Sequence, residues 1–282
     1  YGYDFNPELA KQLLAEAGYP NGEGFGSVDL RLDITDINTA VAEELALLGA
    51  HVVVMARSQE LLQQVVAALP NNGTQQHNYI VADNSQPQAM REAVVTFMQE
   101  HHVGTIHVLI NNTGGPAGGP AIDAKPEEFV NAFTNHLLCN QHLAQVVTPG
   151  MKDAGYGRII NIISTSVKQP IPGLGVSNTI RGAVANWAKT LSLELGPFGI
   201  TVNNVLPGFT ETERLESIIG NKAAKTGSDE SAIIEQMKQE TPARRFATAN
   251  EVAAAAAFLA SPAAAYVNGI NLPVDGGRTK CL

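Results

Sequence analysis

Cysteine is nearly missing from this 282-residue chain. Cys139 and Cys281 are its only two, too few for a disulfide framework, and a reducing cytoplasm is the plain reading. Charge is sparse at 16% of residues, and what there is leans acidic: 18 Lys and Arg against 27 Asp and Glu, a net charge of −9. That balance argues against nucleic acid as a partner, because phosphate binding needs a basic surface. Long apolar runs are absent too. The longest, Val252 to Ala260, is mostly alanine and far short of the roughly 20 residues that span a bilayer, so no membrane partner is expected. No basic segment followed by an apolar run opens the chain, so no targeting leader is expected. What is present is enough apolar residue, 44%, to exclude a disordered chain and to fill the core of one large α/β domain with a short appendage.

From residue 27 onward, short β-branched runs alternate with helical spacing. Strands are expected at 51–56, 78–82, 106–110, 158–163, 200–206 and 270–274. Between them, apolar residues recur at helical intervals over 38–49, 58–69, 86–102, 127–154, 178–195, 229–240 and 249–260. Strands alternating with helices of this length imply right-handed crossovers and a parallel sheet covered on both faces. The fold class is therefore doubly wound α/β, Rossmann-like, over residues 27–282.

Residues 1–26 read differently, as an N-terminal helical extension. Asn6 can cap a helix whose first position is Pro7, Leu9, Leu13, Leu14 and Ala17 share a face, and Gly18 and Pro20 stop it. The stretch from Asn6 to Pro20 resembles a segment of bacterial oligopeptide-binding proteins, which leaves two readings: an arm packed on the main domain, or a fused foreign segment.

Five elements fall in one order along the rest of the chain: Leu109-Ile-Asn-Asn-Thr-Gly114, a helix asparagine at Asn135, Asn161-Ile-Ile-Ser164, Leu206-Pro-Gly-Phe-Thr-Glu-Thr212 and Val274-Asp-Gly-Gly277. Together they resemble the short-chain dehydrogenase/reductase family, nearest the branch of 3-oxoacyl-acyl-carrier-protein reductases. The resemblance implies an NAD(P)-dependent oxidoreductase acting on a small carbonyl or alcohol substrate, and a homodimer or homotetramer paired through helices 127–154 and 178–195. It makes Ser164 the catalytic serine and Asn135 the residue that holds a catalytic water. Asn111, Asn112 and Gly114 lie just past a strand end, where small residues and amides can approach a cofactor ribose or simply make a turn. Arg57, following the second strand, can pair with the 2′-phosphate of NADP, which tips the cofactor from NAD toward NADP, or it is a solvated surface arginine. Asp83 and Asn84 would border the adenine, although Asp83 could instead cap the helix near Pro87. Pro207, Gly208, Thr210 and Thr212 would form the nicotinamide end, or a polar turn. The long charged stretch 211–245 matches a substrate-covering lid in position.

Two departures from the family pattern bear on activity. The glycine-rich loop that lets backbone approach the pyrophosphate should occupy Arg31 to Asn38, and that stretch, Arg31-Leu-Asp-Ile-Thr-Asp-Ile-Asn38, holds no glycine. Asp33 and Asp36 would also face a dianion, each costing on the order of 1 kcal/mol or more at 4–6 Å. The proton-donating Tyr and its Lys are replaced at the same spacing by Ser177 and Arg181. A hydroxyl is a far weaker acid than a phenol, and an arginine holds its charge near neutral pH. Lys168, four residues beyond Ser164, is a second candidate for the proton, or an exposed loop lysine. The rival to an active enzyme is therefore a pseudo-enzyme of the same fold, acting as a binding or assembly module.

Overall fold

The β-branched runs become the middle of a sheet, as runs buried on both faces should. The computed structural model describes residues 27–32 and 36–281, with side chains from Asp36 onward. The expected N-terminal helix at Asn6 and Pro7, the boundary after residue 26, and Asp33 lie outside the described residues. The strands are β1 (Ser27–Leu32), β2 (His51–Ala56), β3 (Asn78–Val81), β4 (Val108–Asn112), β5 (Gly157–Ile162), β6 (Ile200–Pro207) and β7 (Asn271–Val274). They form one sheet in the order β3-β2-β1-β4-β5-β6-β7, and every pairing is parallel.

Nine α-helices complete the described residues: α1 (Asp36–Leu47), α2 (Gln59–Ala68), α3 (Pro87–Glu100), α4 (Pro126–Phe133), α5 (Cys139–Ala154), α6 (Gly175–Leu195), α7 (Glu213–Thr226), α8 (Glu230–Gln239) and α9 (Ala249–Ala260). Helices α1, α2 and α9 cover one face of the sheet. There Leu45, Leu62 and Val252 meet Val52, Val54, Ile110 and Ile160, and the alanines of α9 (Ala253, Ala256, Ala257) pack beside Ala42 and Ala46 of α1, small against small. On the other face, Val94 of α3, Leu143 and Val147 of α5, and Ala188 of α6 meet Val53, Leu109, Ile159 and Val202.

Several expected boundaries shift, each for a tertiary reason. The loop expected at 31–38 shrinks, because β1 runs through Leu32, pairing with Asn112, and α1 already begins at Asp36. The strand expected at 106–110 is β4, Val108–Asn112. Its last two residues look like a turn in sequence, but the ladder to β1 and β5 carries them on. Residues 127–154 are one helical run interrupted by a π turn, Thr134–Leu138, between α4 and α5, and it ends on Gly155 in the left-handed conformation (φ 63°) that glycine adopts without steric cost. Helix α7 was not expected. It lies in the charged stretch 211–245 and buries only Leu215 and Ile219, which join Ile233, Met237 and Phe246 in a small cluster of their own.

Candidate active site

In an open parallel sheet, a ligand crevice lies beyond the carboxyl ends of the strands, where strand order reverses. Here the reversal falls between β1 and β4. Asn112 closes β4, Ser164 follows the end of β5, and Thr212 follows the end of β6. The three residues therefore share one side of three adjacent strands.

Ser164 leaves β5 with extended backbone (φ −164°, ψ 149°), and its Oγ accepts a hydrogen bond from Ser166 N at 3.1 Å, capping the 3-10 turn Thr165–Val167. The hydroxyl keeps its own proton for donation. Arg181, buried in α6, reaches across the strand ends: Nη1 donates to the Ile162 carbonyl at 3.1 Å and Nη2 to the Thr113 carbonyl at 3.2 Å. Burial, with a smaller push from Arg214, lowers its pKa to about 10, so it remains a cation at neutral pH. Ser177 is half-buried near the start of the same helix. Asn135 sits in the π turn, and its carbonyl accepts from Thr113 Oγ1 at 3.5 Å. π turns of this kind favour functional positions. Lys168 is half-buried. Its main-chain N–H donates to the Thr165 carbonyl at 3.0 Å, and its carbonyl accepts from the Cys281 thiol at 3.4 Å.

A row of asparagines runs beneath these groups, and sequence reading missed it. Asn111, Asn161, Asn204 and Asn271 stand in register on β4, β5, β6 and β7. Their amides link in sequence: Asn111 Nδ2 to Asn161 Oδ1 at 3.0 Å, Asn161 Nδ2 to Asn204 Oδ1 at 2.9 Å, and Asn204 Nδ2 to Asn271 Oδ1 at 2.8 Å. Asn111 thus lies within β4 rather than past its end, its buried amide ties strands together, and its Oδ1 finds no partner among the described residues. The available signal was an asparagine inside or directly after each of four β-branched runs.

Three contacts cross the crevice. Asn112 Nδ2 donates to Oδ1 of Asn38, which is fully buried in α1, at 2.6 Å. Asp36 Oδ2 accepts from Glu213 N, at the start of α7, at 3.0 Å. Arg214 Nη2 donates to the Pro116 carbonyl at 3.2 Å. Asp36, expected to repel phosphate, thus serves here as a second cap on α7 beside Thr212, whose Oγ1 accepts from Leu215 N at 3.2 Å. Thr212 also donates to the Thr210 carbonyl at 3.2 Å, and Thr210 to that of Gly208 at 3.4 Å. Gly208, next to Pro207, lies so close to β7 that a Cβ would stand 2.7 Å from the Asp275 Cα.

At the far end, Arg57 is exposed just past β2. Exposed Asp83 accepts from Ser85 N at 2.8 Å. That bond above all, with Arg57 adding a little, holds its carboxyl below the ordinary range. Asp83 does not cap the next helix, because that position belongs to Gln86. Asn84 is half-buried, and its carbonyl accepts from the Cys139 thiol at 2.8 Å. Gly114 is exposed on the loop after β4.

Comparison with known proteins agrees with this fold. The family model described as enoyl-(acyl carrier protein) reductase matches residues 35–279, and the chain belongs to this short-chain dehydrogenase/reductase family. It is 32% identical over 244 residues to the short-chain reductase protein NovJ of Streptomyces niveus, covering 86% of this chain and 89% of that one. It is 29% identical to the NADPH-dependent reductase BacG of Bacillus subtilis, covering 87% of this chain and 95% of that one. The structure of L-sorbose reductase from Gluconobacter frateurii, complexed with NADPH and L-sorbose, superposes with a TM-score of 0.84 at 28% identity, covering 91% of this chain and 98% of that one. The match begins at residue 35 and gives no support to the oligopeptide-binding resemblance of the first residues.

Proposed function

We propose that the chain is an NADP(H)-preferring short-chain oxidoreductase that reduces a small carbonyl substrate, with 3-oxoacyl groups within its range. The observation that carries this reading is the convergence of Asn112, Ser164 and Thr212 beyond three adjacent strand ends, in a chain similar to NADPH-dependent reductases over most of its length.

The residues suit a nicotinamide dinucleotide at both of its ends. Arg57, with Asp83 and Asn84, flanks the adenosine position, and a guanidinium there suits a 2′-phosphate. Thr210, Thr212, Gly208 and Arg181 flank the nicotinamide position. At the middle, the Asn38–Asn112 bond and the Asp36 carboxylate hold ground that a pyrophosphate would use, and both side chains must turn aside for it. When bound, the nicotinamide supplies the hydride that goes to the carbonyl carbon, and the carbonyl oxygen takes a proton to give the alcohol. Ser164 donates a hydrogen bond to that oxygen and so stabilises the charge that develops on it. Asn135 orders a water in the π turn. Arg181, fixed on two carbonyls, lends positive charge and holds the ribose. Ser177 or Lys168 relays the proton from solvent. We further place the protein in the cytoplasm as a homo-oligomer. No helix among the described residues is long and apolar enough to cross a membrane.

A second reading has its own support. The 2.6 Å Asn38–Asn112 bond, with Ser177 and Arg181 where the family has Tyr and Lys, favours a binding module with little hydride transfer. Following NADPH oxidation against a panel of ketones, aldehydes and 3-oxoacyl thioesters separates the two. Carbonyl-dependent oxidation lost in Ser164→Ala supports the enzyme. NADPH binding without oxidation across the whole panel supports the module.

A further inference from the structure

Beside the crevice, on its β7 side, the C-terminal segment folds back over the loop after Ser164. Asp275 organises the turn: its carboxylate accepts from Thr279 N at 2.7 Å and from Gly277 N at 3.0 Å. Beyond it, Lys280 N donates to Gln169 Oε1 at 3.3 Å, and the Cys281 thiol reaches the Lys168 carbonyl at 3.4 Å. Between tail and loop lies a cavity of about 210 Å³ whose walls include Thr165, Gln169, Ile171, Glu240, Arg278 and Lys280. Thr165 is the residue after Ser164, so one wall of the cavity lies a single residue from the proposed reacting serine. The cavity is smaller than the ~300–1,000 Å³ clefts that enclose whole drug-sized ligands, a size that suits one end of a small molecule.

Its chemistry is two-sided. Pro170, Ile171 and Pro172 make one wall apolar. The other carries two cations, Arg278 and Lys280, against the single carboxylate of Glu240, so the site is locally positive in a chain whose net charge is −9. Arg278 is held in place but under-used. Its guanidinium lies 4.1 Å from the centre of the Phe209 ring, its only ion pair among the described residues is the long 3.6 Å contact to Glu240, and its Nε is buried with no hydrogen-bond partner among them. A guanidinium pre-set on an aromatic face, with a donor unspent, is suited to a carboxylate.

We propose that this cavity receives the carboxylate end of the substrate, so that the protein acts on short-chain oxo acids, with Arg278 pairing the carboxylate, Lys280 adding charge at the rim, and the Pro170–Pro172 wall lining the aliphatic link. The proposal rests on the reductase reading for the word substrate, but its test reads binding alone. Isothermal titration of the full chain, with and without NADP⁺, uses 4-oxopentanoate and 5-oxohexanoate, each beside its methyl ester. The expected result is that at least one acid binds about ten-fold or more tighter than its ester, the size of effect a charge-assisted hydrogen bond gives. That ratio falls toward one in Arg278→Met and is partly kept in Arg278→Lys. Equal affinities for acid and ester, a ratio unchanged in Arg278→Met, or no binding of either acid would overturn the proposal. Should Arg278→Met not fold by circular dichroism, Lys280→Met decides, since its loss must lower the ratio as well. Acid binding without turnover of NADPH would contradict the proposed function and leave the cavity's assignment standing.

Discussion

Asn38 and Asp36 lie in the stretch where the family resemblance places a glycine-rich loop, and each has a partner outside its own helix. The Asn38 amide oxygen holds Asn112, and the Asp36 carboxylate holds the first N–H of α7. Asp36→Asn removes the negative charge while keeping an acceptor for Glu213 N. Relief of a carboxylate–phosphate repulsion of about 1 kcal/mol predicts NADPH affinity about five-fold tighter by calorimetry, and an unchanged or weakened affinity would show that Asp36 does not face the phosphates. At the reacting end, Ser164→Ala removes the donor to the carbonyl oxygen and should lower turnover about 10²–10³-fold, with thermal stability little changed. Arg181 bears on pH dependence. Burial depresses its folded pKa from the ordinary arginine range to about 10, so the folded state gives up its proton first, and the energetic cost of the buried charge is relieved only as pH rises through 10. Between pH 6 and 9 the residue stays charged, so any inflection of rate in that window that survives in Arg181→Lys belongs to another group.

Among elements, β6 with the turn after it and the caps of α7 and α9 are the sensitive parts. Gly208→Ala would set a Cβ 2.7 Å from the Asp275 Cα, with backbone on the other side of the contact rather than a flexible side-chain tip. A loss of roughly 1–3 kcal/mol of stability is expected, read in urea unfolding, together with reduced cofactor binding. Helix α9 starts on a capping box in which Thr248 and Glu251 exchange bonds, Glu251 N to Thr248 Oγ1 at 3.3 Å and Thr248 N to Glu251 Oε2 at 2.9 Å. Thr248→Ala should lower the melting temperature by a few degrees, in keeping with about 1 kcal/mol for a lost cap. The side-chain bond from Arg245, above all, lowers the Glu251 pKa to about 2. A depressed carboxylate pKa stabilises the folded state above the ordinary value near 4.5 and loses that contribution as pH falls toward 2. With both side chains more than a third exposed, water screens the pair and the acid effect is small. Helix α7 explains why sequence alone read this region as a charged stretch with one helix at 229–240. It buries only Leu215 and Ile219, one turn apart, a stripe too thin to register as periodicity. The helix is held instead by caps from Thr212 and Asp36 and by packing on Ile233 and Met237.

For the whole molecule, the doubly wound sheet was legible because its central strands are buried on both faces and must be written in continuous β-branched runs, as Val52 to Val54 and Ile159 to Ile160 are. The alternation of those runs with helical spacing left little choice of topology, and with it Asn112, Ser164 and Thr212 fall at or after the ends of the adjacent strands β4, β5 and β6. The asparagine row was not legible, since Asn111 and Asn161 are costly inside a sheet unless neighbouring strands supply partners, and those partners appear only when β4, β5, β6 and β7 are aligned. The crossing bonds made by Asn38 and Asp36 were hidden for the same reason, because they join residues 74 and 177 positions apart.

The proposed function requires a dinucleotide to fit beyond these strand ends although residues 31–38, where the resemblance places phosphate-binding glycines, hold none. Calorimetric titration of the full chain with NADPH, repeated on Asp36→Asn and on Arg57→Ala, tests this most directly. The prediction is one NADPH per chain, bound tighter by the first variant and more weakly by the second. No detectable binding by any of the three proteins would contradict it.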